Sequence, residues 1–175
     1  MSDRVDAIRE KLYREEGGSI FAVLDGASVP GLLQKLADQE PEHICLYRGE
    51  LQPDMAEVAP YLVKLDDEAP FTEWVLDRGW GNHWGIFAET SADLTSLRQH
   101  FRTFLTVHDP NGKPLLFRYY DPRVLRVYLP SCNGDELHAM FGPVDAYLME
   151  DESGAGLLRF RLKNGALAKQ VEQIS

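Results

Sequence analysis

The stretch Thr106-Val107-His108-Asp109-Pro110-Asn111-Gly112-Lys113-Pro114-Leu115-Leu116-Phe117-Arg118-Tyr119 sets two short extended runs on either side of an Asp-Pro-Asn-Gly interruption. Asn-Gly adopts the left-handed backbone that a tight hairpin requires, so the spacing predicts antiparallel strands at 106–108 and 115–119. A sheet that contains such a pair is not wholly parallel. N-terminal to it, Leu94, Leu97, Phe101 and Phe104 recur at helical spacing after Asp93, with Arg98, Gln99 and Arg102 off the stripe. C-terminal to it, Asp121 and Pro122 open a helix through Leu129, with proline in the first turn where its missing N–H costs nothing.

Further outward, strand-length apolar runs alternate with helical stripes. Val5, Ile8 and Leu12 share a face in residues 3–16, before Gly17-Gly18. Ser19–Leu24 is a buried-strand run closed by Asp25-Gly26, and Ser28 is placed to cap a helix with Pro30 in its first turn and Leu32, Leu33 and Leu36 inside. His43–Tyr47, Tyr61–Leu65 and His83–Ala88 suit strands, Pro53-Asp54 begins a helical turn, and Phe71–Trp80 suits a helix ending near Gly79. After Pro130, residues 131–136 form a polar interruption, strands follow near 145–149 and 157–162, and Leu167, Val171 and Ile174 make a last helical stripe. The fold class expected is α/β: a single domain with a mixed, partly antiparallel sheet flanked by helices.

The chain has 175 residues, 44% apolar and 26% charged, enough for one domain with a real core. Its formal charge of −10 disfavours nucleic acid and anionic membranes as partners, since both call for a basic surface. The first residues lack the apolar core of a signal peptide and no apolar run is long enough to span a bilayer, so a cytoplasmic protein is expected. Gly-rich phosphate loops, a Gly-x-Ser-x-Gly elbow and a His-Glu-x-x-His pair are absent from the sequence, and neither metal nor cofactor is expected. Cys45 lies in an apolar run and Cys132 in a polar one. Either could in principle serve a small Cys-dependent hydrolase, although no partner base is identifiable.

Charge is not evenly spread. Residues 98–128 carry six cations (Arg98, Arg102, Lys113, Arg118, Arg123 and Arg126) against two acids (Asp109 and Asp121), a net +4 inside a chain of −10, so the rest sums to −14. Within it, Arg118-Tyr119-Tyr120-Asp121-Pro122-Arg123 combines the residue types that dominate protein-interface hot spots. Two readings stand together here: Arg118 pairs with Asp121 or another acid to brace a strand-to-helix corner, or the segment touches a partner.

Pro110-Asn111-Gly112 followed by Arg118-Tyr119-Tyr120-Asp121-Pro122-Arg123 resembles the effector adaptor/chaperone domain of bacterial type VI secretion systems, a family long described only as a domain of unknown function. Further stretches are similar to that family in the same order. They are Phe21–Ala27 with its acidic turn, Leu46-Tyr47-Arg48-Gly49, Ala59–Val63, Trp84-Gly85-Ile86-Phe87, the helix containing His100-Phe101, and Phe141-Gly142-Pro143-Val144. The resemblance spans roughly residues 19–148, leaving 1–18 as an N-terminal helical segment and 149–175 as a short strand-and-helix extension, shorter than in many relatives. It implies a non-enzymatic protein that binds a cognate toxic effector and helps load it on the VgrG spike protein. The partner-contact residues expected on this basis are Arg118, Tyr120, Asp121 and Arg123. An immunity protein that neutralises a toxin is the other binding reading.

Overall fold

Strand β1 (Ser19–Asp25) is apolar on both faces, and this makes it the centre of the molecule. Ile20, Ala22 and Leu24 enter one core while Phe21 and Val23 enter a second on the opposite side. The computed structural model describes residues 2–14 and 18–174. β1 pairs with β3 (Pro60–Leu65) on one side and β4 (Gly85–Thr90) on the other. Beyond them lie β2 (His43–Cys45), β7 (Val144–Glu150), β8 (Gly156–Lys163) and β9 (Ala166–Gln173), giving a seven-stranded sheet in the order β2-β3-β1-β4-β7-β8-β9. Every strand pairing among the described residues is antiparallel.

Helices cover both faces, so the class expected from the sequence holds. α1 (Asp3–Leu12), α2 (Leu32–Gln39) and α4 (Pro70–Gly79) contribute to the first core. α5 (Leu94–Arg102), α6 (Pro122–Ser131) and α7 (Gly134–Phe141) contribute to the second. The short α3 (Pro53–Val58) buries no side chain. The 106–116 hairpin forms as β5 (Thr106–His108) and β6 (Pro114–Leu116), but it stands as a separate two-stranded sheet with all six residues exposed. The long sheet is antiparallel through its own pairings, not through this hairpin.

Several local expectations change. Residues 166–173, expected to form a helix, are strand β9. Leu167 and Val171 are four apart, a spacing that fits one face of a strand as well as a helix, and Asn164 and Gly165 both have positive φ (53° and 78°), the backbone of a two-residue hairpin turn. The polar interruption at 131–136 contains a helix start. The Asn133 side chain accepts from Glu136 N–H, and the Glu136 carboxylate accepts from Asn133 N–H, at 2.8 and 2.9 Å. Ser28 and Pro30 precede α2, which begins after Gly31 in the left-handed region, so Ser28 does not cap it. The strand expected at 115–119 stops at Leu116, and residues 117–121 form a loop instead of running directly into α6. The boundary expected between residues 148 and 149 falls inside β7. The Gly17 part of the first helix stop lies outside the described residues.

Two separated motifs meet in the second core. The His100 ring donates from Nε2 to the Met140 carbonyl at 2.9 Å and packs so closely on Gly142 that a Cβ there would sit 2.6 Å from the ring. Gly142 also has φ of 46°, so this position is restricted to glycine twice over. Burial holds His100 below its ordinary value, in the neutral form. The unfolded chain therefore takes up a proton on His100 first as pH falls. Its contribution to stability is complete above about pH 6.5 and is lost as pH drops below that toward the depressed native value. H100Q, which keeps a donor for Met140, is expected to flatten this decline; urea denaturation at a series of pH values measures it.

Candidate partner-binding site

One end of the sheet gathers the residues of interest. β1 ends there at Asp25, β7 ends there at Glu150 and β4 starts there at Gly85, which pairs with Leu24. The 117–121 loop reaches this edge across the second core. Tyr119 anchors it, fully buried, with its ring stacked on Phe101 at 5.7 Å and its hydroxyl donating to the Phe101 carbonyl at 3.0 Å.

Arg118 then turns back toward β1. Asp25 is only 2% exposed, and a buried carboxylate needs several donors to offset its desolvation. It accepts from Ala27 N–H at 3.0 Å, from the Ser28 hydroxyl at 2.9 Å and from the Arg118 guanidinium. Burial alone would lower Arg118, but Asp25 and Tyr120 outweigh it and hold the guanidinium above its usual value. The Tyr120 hydroxyl lies beside Arg118 and shares a hydrogen bond with Tyr47; burial pushes its pKa well above the usual tyrosine value, so it stays protonated. Tyr120 is 1% exposed, so the structure places it in the core and not on a contact surface.

Asp121 and Arg123 form a separate local unit. The Asp121 carboxylate caps α6 by accepting from Arg123 N–H at 2.9 Å, and also receives Arg123 Nε at 3.1 Å and Nη2 at 2.8 Å. Burial pushes Asp121 up, but these Arg123 bonds prevail and keep it below the ordinary carboxylate range. Of the two pairings considered for Arg118, the one with Asp121 does not form; the acid is Asp25, 93 positions away. Arg118 with Tyr120, and Asp121 with Arg123, are thus brought together as two neighbouring pairs.

Sequence reasoning missed a second buried carboxylate. Glu150 accepts from Gly81 N–H at 2.5 Å and His83 N–H at 3.2 Å, and faces His83 Nδ1 at 2.7 Å. His83 has φ of 59°, unusual for a non-glycine residue, and this turns its N–H to the carboxylate. Nothing in the run Glu150-Asp151-Glu152 distinguishes Glu150 from its solvated neighbours.

The local positive charge is partly consumed within the fold. Arg102 donates to the carbonyls of Cys45, Leu46 and Tyr47 at 3.0 to 3.4 Å, while Arg118 and Arg123 are paired as described. Apolar exposure is what remains near the motif: Val107, Leu115, Leu116 and Val127 are four of the seven large apolar side chains exposed among the described residues. Both thiols, Cys45 and Cys132, are half-buried and raised by burial, the opposite of nucleophile activation. Among the described residues no group of three or more His, Cys, Asp or Glu is arranged to hold a metal ion, and no helix is long and apolar enough to cross a membrane.

A family model described as "Domain of unknown function (DUF4123)" matches residues 20–139. The chain belongs to this family. No curated protein and no solved structure matches it. The DUF4123 span includes Asp25, Arg118, Tyr120, Asp121 and Arg123, whereas Glu150, β8 and β9 lie beyond it.

The arrangement separates bracing from surface roles. R118A is expected to lower stability by about 1–2 kcal/mol, because it strips the charged donor from Asp25 although half of the Arg118 side chain is exposed. R123A, at the solvated pair, is expected to cost less than about 1 kcal/mol. Chemical denaturation of the two variants side by side checks the order.

Proposed function

We propose that this protein is a non-enzymatic adaptor/chaperone of the cytoplasm that binds a cognate type VI secretion effector and helps load it on the VgrG spike protein. The reading is carried by the Arg118–Arg123 motif, with its resemblance to adaptor/chaperone domains and its position between exposed apolar side chains. Leu115 and Leu116 precede the motif and Val127 follows it, with exposures of 43%, 52% and 65%. Exposed apolar residues beside a fixed Arg–carboxylate pair suit the task physically. Apolar contact supplies affinity, and the charged rim opposes wrong partners. The raised thiols support the non-enzymatic reading over a Cys-dependent hydrolase.

Affinity purification from the native cell tests the assignment. Recovery of a toxin together with a VgrG protein is the expected result, and recovery of neither overturns it. A bound partner whose toxicity is abolished by co-expression would point to immunity instead. The double variant R123A/V127D is expected to weaken effector co-purification about tenfold or more with little change in melting midpoint, since both side chains are exposed. Tyr120 is unsuited to this test because truncating it would open the core.

A further inference from the structure

Beyond the family-matched residues, the outer margin of the sheet carries a surface of its own. β9 is the last strand in the order, and no strand pairs with its far side among the described residues. Ile174 N–H donates to Ala155 O at 2.8 Å, and antiparallel pairs alternate between bonded and open positions. Ala166, Ala168 and Gln170 therefore spend their main-chain groups on β8, while Leu167, Lys169, Val171 and Gln173 direct theirs outward. An edge eight residues long with free N–H and C=O groups is a template for one more strand.

The side chains beside that edge are cationic. Arg159, Arg161 and Lys163 of β8 share a face with Ala166, Ala168 and Gln170 of β9. Arg159, Arg161, Lys163, Ala168, Lys169 and Gln170 line an open cavity of about 340 Å³, with four cations and, among the described residues, no acid in the lining, in a chain of −10. Glu89 and Glu172 are buried and already engaged. Glu89 meets Arg159 at 3.3 Å and Arg161 at 3.2 Å, and Glu172 meets Arg159 at 3.6 Å as well as Arg14. Arg159 is 1% exposed, yet its buried Nε has no hydrogen-bond partner. Lys163 and Lys169 are exposed and make no ion pair among the described residues.

We propose that the free edge of β9 and this cationic trough receive an extended acidic segment of a partner protein, added to the sheet as an eighth strand. Strands stand about 4.8 Å apart, so the added strand would lie about two spacings from β8. The short Ala166 and Ala168 side chains between them leave room for a Glu or Asp to meet Arg161 or Lys163. Lys169 deters uncharged strands from the same edge. On the opposite face Val171, 49% exposed, offers an apolar contact. The fitting segment therefore alternates acidic and apolar residues. A second copy of this chain fits poorly: on the trough-side face of β9 the acid available is Glu172, already held by Arg159 and Arg14, and two chains of −10 repel. The inference stands on β8 and β9 and does not rest on the adaptor reading.

The test uses the full chain and an acetylated peptide of alternating Glu and Val, matched to the eight residues of β9, beside Gln–Val and Lys–Val counterparts. Calorimetric titration is expected to rank Glu–Val about tenfold or more above Gln–Val, with Lys–Val silent and binding weakened by salt. Hydrogen exchange is expected to slow at the outward amides of Lys169 and Val171. K163E is expected to lower affinity about tenfold. K169P removes one outward N–H while sparing the β8 ladder, and is expected to abolish binding without shifting the melt. Equal binding of the three peptides, no Glu–Val binding at about 1 mM, or full binding by K163E overturns the proposal. A concentration-dependent dimer lost in K169P would overturn it in favour of a second copy.

Discussion

Asp25 closes the central strand with a carboxylate that water does not reach, and much of the candidate site follows from the donors this requires. Leaving such a group unpaired costs several kcal/mol. The Ser28 hydroxyl and Ala27 N–H meet part of the need from the adjoining turn, and Arg118 meets the rest from far along the chain. Arg118 thereby ties the 117–121 loop, with the buried Tyr119 and Tyr120, to the end of β1. The backbone is constrained at the same place. Gly26 N–H donates to Ala59 O at 3.0 Å, and a Cβ on Gly26 would stand 2.5 Å from the carbonyls of both Glu57 and Ala59. Asp25-Gly26 thus joins β1 to β3 through main chain and to the Arg118 loop through side chain.

This coupling changes how the charge pattern is understood. A basic segment inside an acidic chain suggests an outward electrostatic face, but three of its six cations are engaged within the fold. Arg102 secures the open end of β2, Arg118 neutralises Asp25 and Arg123 pairs at the surface with Asp121, the cap of α6. The motif thereby becomes a rigid mount, and the surface it presents is chiefly the apolar side chains on either side of it. Exposed cations also lie outside that segment, at Lys163 and Lys169 near the outer edge of the sheet, within a run (residues 153–171) that holds four Lys or Arg and no acid.

Much of the architecture was legible because it is local. The stripe Leu94-Leu97-Phe101, the strand run Ser19–Leu24, the Pro122 helix start and the Asn111-Gly112 hairpin each encode their geometry within a few residues. Errors arose where one spacing fits two structures, as Leu167 and Val171 do, or where a cap resembles a loop, as at Asn133–Glu136. The motif residues gather at one end of the sheet, but their individual roles follow from contacts that the motif does not encode. His100 and Gly142 lie in separate motifs along the chain, yet they form one packed contact. Arg118, Tyr120 and Arg123 stand together in the motif as expected partner contacts, yet Tyr120 is core.

By itself, the sequence determined an α/β domain with antiparallel pairing, a charge of −10 with a basic island, and a motif worth placing, since composition, periodicity and turn chemistry are properties of neighbouring residues. The tertiary structure alone decided that Asp25 is the acid for Arg118, that Glu150 and not Asp151 is buried, and that the hairpin stands apart from a sheet whose free edge is β9. Those outcomes depend on which distant groups burial forces to satisfy one another, and desolvation acts on position in space, whatever the separation along the chain.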